Sequence, residues 1–198
     1  MTWRAAAALA LLGAAGCASM GGRSRTFDEA RLSTDGGWIM AAPAPLVRQE
    51  GSQDCGAASL AMIAGHWRRA LTLDEAAAAL TAAAAPARPT QGARLGDLRD
   101  VARARGLTAF AIVGDRATIV HELEARRPVI VGLHIRKGPR RALSHYEVVV
   151  AMNARDDRFV TIDPASGWRV RSWADFDAAW LPAGRPALVV VGVNAPAP

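Results

Sequence analysis

An apolar stripe with helical spacing is the first strong pattern in the chain. It spans residues 55–69 and follows a polar stretch in which Ser52 and Asp54 are both candidates for a helix N-cap. The spacing predicts a helix over residues 55–69, with one face turned to the core. The apolar positions are Ala58, Leu60, Ala61, Met62, Ala64 and Trp67.

Two further helical patterns precede a change to strand-like patterns. Pro86 and Pro89 end an alanine-rich pattern at residues 74–84, and Gly106 closes another at residues 95–105. Helices first and a mostly antiparallel sheet second indicate an α+β fold rather than alternating βαβ units. The later patterns predict strands over 108–113, 128–135, 145–152, 159–163 and 187–193, and helices over 116–127 and 173–180.

Composition fits a globular chain. Of 198 residues, 51% are hydrophobic and 21% are charged, which excludes a mainly disordered protein. The net charge is +6, but Lys137 is the only lysine, so the arginine excess looks like compositional bias. The arginines are scattered without interleaved aromatic residues, and we expect no nucleic-acid partner. One basic cluster, at Arg136, Lys137, Arg140 and Arg141, is expected to be a solvated loop. Because it adjoins His145, the alternatives are a gate over the cleft or an attraction for an acidic substrate.

The N-terminus has the order of an export signal. Arg4 precedes an apolar run at residues 5–12, small residues follow, and Cys17 comes next. The run resembles a lipoprotein signal with Cys17 as the lipidated residue, although Ala14 stands where leucine is preferred; the alternative is an ordinary signal peptide with a chance cysteine. Because Ala18 and Ser19 follow, the resemblance implies a cell-envelope protein on the outer membrane, facing the periplasm.

This interpretation divides the chain into four parts. Residues 1–16 are the expected signal peptide, and residues 17–46, rich in Gly, Ser, Arg and Pro, are the lipidated N-terminus and a flexible tether. One short ordered piece is expected in the tether, around Trp38-Ile39-Met40. Residues 47–194 are the expected catalytic domain, and residues 195–198 are a tail.

Cys55 lies at the predicted start of the first long helix. Unpaired N–H groups and the helix dipole favour a thiolate there, so the pKa of this thiol is expected to be low. With Cys17 consumed by lipid, Cys55 is the only thiol left in the exported chain. The alternative is a small buried core residue, which is what most free cysteines are.

A thiolate needs a histidine, and His145 is the best placed of the four. It opens a strand, and a hairpin folded about residues 154–155 brings it opposite residues 163–165, beside Asp163. Gln49, six residues before Cys55, is a candidate oxyanion donor, with Gln53 as the nearby alternative. The other histidines are His66, about three helical turns from Cys55, His121 in a charged helix, and His134 at the end of a strand.

Together these residues resemble the bacteriocin-processing, double-glycine-leader cysteine peptidases (family 39) of the papain-like clan. The matching motifs, over residues 47–193, are Gln49, Asp54-Cys55-Gly56, His145-Tyr146 and Asp163-Pro164-Ala165-Ser166-Gly167. The resemblance implies a papain-like peptidase fold with N-terminal helices packed on the sheet. It also implies Cys55 as nucleophile, His145 as general base and acid, Asp163 as orienting residue and Gln49 as oxyanion donor. No cofactor or metal is expected.

The expected function is that of a stand-alone, lipid-anchored thiol protease. Its substrate would be an exported peptide or a leader peptide, and an outer-membrane secretion system is a candidate partner. Two alternatives remain. A cell-wall amidase or transpeptidase of the same clan would carry a D-C-S-G motif, whereas Asp54-Cys55-Gly56-Ala57 stands here. A non-catalytic module that binds leader peptides would lack one of the catalytic residues.

Overall fold

The computed structural model describes residues 23–41, 44–84, 92–136 and 142–192. The predicted signal peptide with Cys17, the predicted tail and most of the basic cluster (residues 137–141) lie outside these ranges. Within them, no helix has both the length and the apolar character needed to span a membrane.

Five α-helices and eight β-strands make up the described chain. The helices are α1 (Cys55–His66), α2 (Leu73–Ala83), α3 (Leu95–Ala104), α4 (Arg116–Glu124) and α5 (Trp173–Trp180). The strands are β1 (Arg25–Thr26), β2 (Trp38–Met40), β3 (Thr108–Val113), β4 (Val129–Arg136), β5 (Ala142–Asn153), β6 (Arg158–Asp163), β7 (Gly167–Ser172) and β8 (Pro186–Val191).

Local sequence signals set the helix ends. Thr72 and Glu75 form a reciprocal capping box at the start of α2, and the Asp115 carboxylate accepts the Thr118 N–H at the start of α4. After α3, Gly106 adopts a left-handed conformation with φ of 76°, which a glycine adopts without steric cost. These signals explain why the predicted helix positions are close to the observed ones.

The strands form one antiparallel sheet. Its order is β1-β7-β6-β5-β4-β8-β3, and β2 pairs with the second half of β5, past the end of the β4 pairing. Sequence-neighbouring strands β4, β5, β6 and β7 are also spatial neighbours, so short hairpin connections build the centre of the sheet. The α+β prediction is confirmed.

Both faces of the sheet are covered. On β4, Ile130 packs with the α1–α3 helices, whereas Val129, Val131 and Leu133 pack with α4 and α5. This alternation is the period of two that a doubly buried strand requires. Helix α1 lies in the first layer and is buried on nearly all sides: each of its residues except Gly65 is buried. The start of α1 is therefore fixed rigidly against the sheet.

The structure differs from the sequence analysis in the segment before residue 44. Residues 17–46 were expected to be a flexible tether with one short ordered piece around Trp38-Ile39-Met40. Strand β2 lies at that piece and pairs with β5, whereas β1, which no pattern predicted, pairs with β7. Arg169 of β7 also donates hydrogen bonds to Ser24 and Thr26. The segment lacks a long periodic pattern because each strand is only two or three residues long and uses the edge of a sheet formed elsewhere.

Candidate active site

Helix α1 begins at Cys55 without a side-chain cap. Asp54 is the N-cap residue, but its carboxylate accepts the Gly51 N–H at 2.6 Å and makes no capping bond to the helix. No acidic residue occupies the first turn. The positive end of the helix dipole is therefore left to act on the Cys55 sulfur, which is itself largely buried.

His145 and Asp163 meet where β5 and β6 run side by side. The His145 Nε2 atom lies 2.7 Å from Asp163 Oδ1, and both side chains are mostly buried. The hairpin register predicted this pairing, because Val148 of β5 faces Ile162 of β6. With Nε2 engaged by Asp163, the other ring nitrogen, Nδ1, is left for the hydrogen bond that joins His145 to Cys55.

Two further groups hold the Asp163 carboxylate. The Ala165 N–H donates to Oδ1 at 2.8 Å, and the Ser166 hydroxyl donates to Oδ2. The turn after Asp163 is in turn tied to the segment before Cys55, because the Gln49 N–H donates to the Pro164 carbonyl at 3.1 Å. The loop of the thiol and the loop of the carboxylate are thus held together.

Cys55, His145 and Asp163 form a row, and each charge in this row stabilises the next. Burial raises the pKa of Cys55, but the hydrogen bond and charge of His145, with the Tyr146 and Gly56 backbone N–H groups, bring that pKa below its ordinary value. Burial lowers the pKa of His145, but the hydrogen bonds to Asp163 and Cys55 and the charge of Glu147 raise it to about 10. Burial alone would raise the pKa of Asp163, yet His145 holds it well below its usual range. At neutral pH the geometry favours a thiolate, an imidazolium and a carboxylate in line.

The side chain of Gln49, the candidate oxyanion donor, is bound to its own loop. Its Nε2 donates to the Gly51 carbonyl at 2.9 Å, and its Oε1 is buried with no hydrogen-bond partner in the described chain. Gln53, the alternative donor, accepts the Gly92 N–H at 2.8 Å through Oε1 and so ties the α1 loop to the segment before α3.

The other histidines occupy separate places. His66 ends α1 and packs edge-on against Trp67, with ring centroids 4.9 Å apart. His121 lies exposed on α4, and His134 lies on β4 opposite Ser144. The hydrogen bond between the Cys55 thiol and a histidine is therefore made by His145, as the sequence predicts.

A buried polar network next to His145 was missed by sequence reasoning. Glu147 of β5 forms an ion pair with Arg171 of β7 and accepts the Thr161 hydroxyl at 2.6 Å. The available signal was a charged residue inside the apolar run of β5, together with the alternation Trp168-Arg169-Val170-Arg171 that marks β7. No strand was predicted over residues 167–172, so Arg171 was not placed beside Glu147.

One group of side chains has the spacing of a metal site. His145, Glu147 and Asp163 each offer a ligand atom, and these atoms lie within 4.8 Å of one another. Hydrogen-bond donors already occupy both carboxylates: Arg171 and Thr161 bind Glu147, while Ala165 and Ser166 bind Asp163. This donor set fits a network that holds His145 better than it fits a cation.

The fold is shared with several peptidases of known structure. A double glycine motif protease from an AMS/PCAT transporter, in complex with its leader peptide, superposes with a TM-score of 0.61 at 19% identity, covering 78% of this chain and 95% of that one. A C39-like peptidase from Bacillus anthracis gives a TM-score of 0.63 at 15% identity, over 78% and 97% of the two chains.

The peptidase domain of Streptococcus ComA, a bi-functional ABC transporter involved in a quorum sensing pathway, gives a TM-score of 0.56. Its identity is 25%, over 74% of this chain and 97% of that domain. No curated protein sequence matches the chain. The sequence profile of the peptidase C39 family matches residues 44–183, which include Cys55, His145 and Asp163. The chain belongs to the peptidase C39 family.

Proposed function

We propose that this protein is a lipid-anchored cysteine endopeptidase that cleaves an exported peptide or a leader peptide. The observation that carries the proposal is the Cys55–His145–Asp163 row, in which a buried thiol at a helix start meets a histidine that a carboxylate holds at 2.7 Å. Family membership supports the same chemistry.

In the proposed reaction, the Cys55 thiolate attacks the scissile carbonyl carbon. The carbonyl electron pair moves to oxygen, and the Cys55 N–H and the Gln49 side-chain N–H stabilise the oxyanion. When the C–N bond breaks, His145 gives its proton to the leaving amine and an acyl thioester remains. Water then attacks the thioester, His145 takes a proton from that water, and the thiolate leaves. Before the first step, Gln49 must exchange its Gly51 contact for the substrate.

Small residues before the scissile bond are part of this proposal. The protease of the double glycine motif that shares this fold was solved with its leader peptide. We therefore expect two glycines before the cleaved bond to be accepted and bulky residues to be rejected.

The test uses the full chain extracted from membranes in detergent. Two synthetic peptides are compared, one with two glycines and one with two leucines before the scissile bond. Cleavage of the first should fall about a thousandfold or more in Cys55→Ala and His145→Ala, whereas His121→Ala should leave it unchanged. Undiminished cleavage by Cys55→Ala would refute the assignment.

Lipid attachment at Cys17 is tested separately. The membrane-extracted protein should carry a mass increase on an N-terminal Cys17, and Cys17→Ala should lose both that mass and the membrane association. An uncleaved or unmodified N-terminus would refute the anchor while leaving the peptidase assignment intact. Location on the outer membrane, facing the periplasm, and a secretion-system partner are parts of the same proposal.

A further inference from the structure

Glu147 is a charged residue in the middle of the sheet. Its neighbours on β5, Tyr146 and Val148, pack with the α1–α3 layer. Successive strand residues point to opposite faces, so Glu147 lies on the opposite face of β5 from Tyr146 and Val148. Its side chain is fully buried. Burial of a carboxylate is costly unless other groups compensate its charge.

Two side chains supply that compensation. Arg171 Nη1 lies 2.6 Å from Glu147 Oε2 and Arg171 Nη2 lies 2.8 Å from Oε1, which is a two-point contact between guanidinium and carboxylate. The Thr161 hydroxyl donates to the same Oε2 atom. Arg171 is itself buried, with 4% of its surface exposed. Glu147 therefore has a fixed position beside its guanidinium partner.

This fixed carboxylate lies next to the catalytic pair. Glu147 is two residues after His145 on β5, and Thr161 is two residues before Asp163 on β6, so the four share one face of the hairpin. A nitrogen of His145 and carboxylate oxygens of Glu147 and Asp163 lie within 4.8 Å of one another. The negative charge of Glu147 also favours the protonated form of His145.

The charge balance of the cluster depends on His145. Arg171 offsets Glu147, and an imidazolium at His145 lies between two negative groups, the Asp163 carboxylate and the Cys55 thiolate. Loss of that proton would leave these negative groups and Glu147 with Arg171 as their one positive neighbour in the cluster.

From this arrangement we propose that Glu147 is a positioning residue for the peptidase reaction. Arg171 and Thr161 hold the Glu147 carboxylate in place. That carboxylate orients the His145 ring and stabilises the positive charge that the ring carries until it protonates the leaving amine. The proposal rests on the proposed function in assigning that step to His145.

Other charged groups face this cluster from each neighbouring element. Cys55 of α1 and Asp163 of β6 contact His145 directly. The negative charges of Asp163 and Asp175 also act on Arg171 of β7. Arg171 also lines a polar cavity of about 350 Å³ at the β1 edge of the sheet, together with Arg23, Arg25, Arg158, Val170, Ser172 and Asp175. These groups are unchanged in the variant below, so a shift in His145 reports the loss of the Glu147 charge.

The test follows the imidazole of His145 by NMR in protein labelled at histidine nitrogen, with the signal assigned by its loss in His145→Ala. In Glu147→Gln, the titration midpoint should fall by about one pH unit or more, a tenfold change in the protonation equilibrium. The alkaline limit of kcat for peptide cleavage should move down by the same amount. A matched control is Glu122→Gln, because Glu122, a buried residue of α4, is also the partner of an arginine, Arg127. This variant should leave the titration midpoint of His145 unchanged.

Glu147→Gln leaves Arg171 buried without its counter-charge, which can unfold the protein. A second variant therefore separates loss of the Glu147 charge from loss of the fold. Glu147→Gln/Arg171→Met removes both charges, and its thermal unfolding should stay cooperative while the His145 midpoint stays low. An unchanged midpoint in a folded variant would overturn the proposal. Failure of wild-type protein to cleave any peptide would instead overturn the proposed function, and the NMR titration would still report on Glu147.

Discussion

At the residue scale, the candidate site brings together three side chains that are distant in the chain. Cys55, His145 and Asp163 were predicted together because a helix start and a hairpin register are both local properties of sequence. The Glu147–Arg171 pair was not predicted, because Arg171 lies on β7 and no strand was predicted over those residues. The contact from Gln49 to Gly51 depends on a turn geometry that no spacing rule specifies.

Gln49 should matter for hydrolysis but not for the thiol itself. Gln49→Ala should lower kcat by about a hundredfold to a thousandfold, because an oxyanion donor acts on the tetrahedral intermediate. The rate of Cys55 alkylation by iodoacetamide should stay unchanged, since that reaction forms no oxyanion. Gln53→Ala is the matched control and should keep its kcat. A parallel fall in alkylation would assign Gln49 to thiol activation instead.

Asp163 should set the alkaline limit of activity. His145 must be protonated to release the amine, and its pKa of about 10 keeps it so through neutral pH. Asp163→Asn removes a negative charge and a charged hydrogen bond from the ring, so the alkaline limb of the pH–rate profile should move down by about one unit or more. Asp100→Asn, at an exposed pair with Arg99, is the control. A limb that stays near pH 10 would contradict the role.

Helix α1 is the element on which the site depends. Its start was predicted at the observed residue because a polar stretch gives way abruptly to an apolar one. The prediction of one apolar face was too narrow, since the helix is buried on nearly all sides between the sheet, α2 and α3. A stripe pattern cannot distinguish these cases in an alanine-rich sequence, where small residues pack equally well on any side.

The fit of α1 can be tested at Gly65. A Cβ atom there would lie 2.5 Å from Pro45 Cγ, so Gly65→Ala must push the helix and the segment around Pro45 apart. We expect a loss of about 1–3 kcal/mol in the free energy of unfolding. In α3 a Cβ at Gly96 meets nothing within 4 Å, so Gly96→Ala should be neutral or gain up to about 1 kcal/mol. Urea unfolding of the two variants gives the comparison, and equal stabilities would rule out the clash.

At the scale of the whole molecule, a separate hydrophobic core packs on each face of the one sheet. The α1–α3 layer holds the thiol, and the α4–α5 layer buries Phe159, Phe176 and Trp180 on the other face. The sequence predicted most of these elements but not which face each helix covers. Face assignment depends on crossing connections between distant strands, such as β4 with β8, which local patterns do not encode.

Because both layers share the same strands, the second layer should control the stability of the first. Trp180→Ala removes a fully buried ring and should cost about 3–5 kcal/mol of unfolding free energy. Leu181→Ala, next in sequence but 56% exposed, should change it by no more than about 0.5 kcal/mol. Circular dichroism and the reactivity of the Cys55 thiol should report one coincident transition. Separate transitions would show that the layers unfold independently.

The pairing of β1 with β7 sets how far the enzyme can work from a membrane. With Cys17 lipidated as proposed, only residues 18–24 separate the anchor from the folded domain, and a fully extended segment of that length spans at most about 25 Å. A tether over residues 18–46 would have allowed about 100 Å. With that anchor, the shorter reach would keep the thiol within about one domain diameter of the bilayer surface, so we expect it to meet its peptides at the membrane surface.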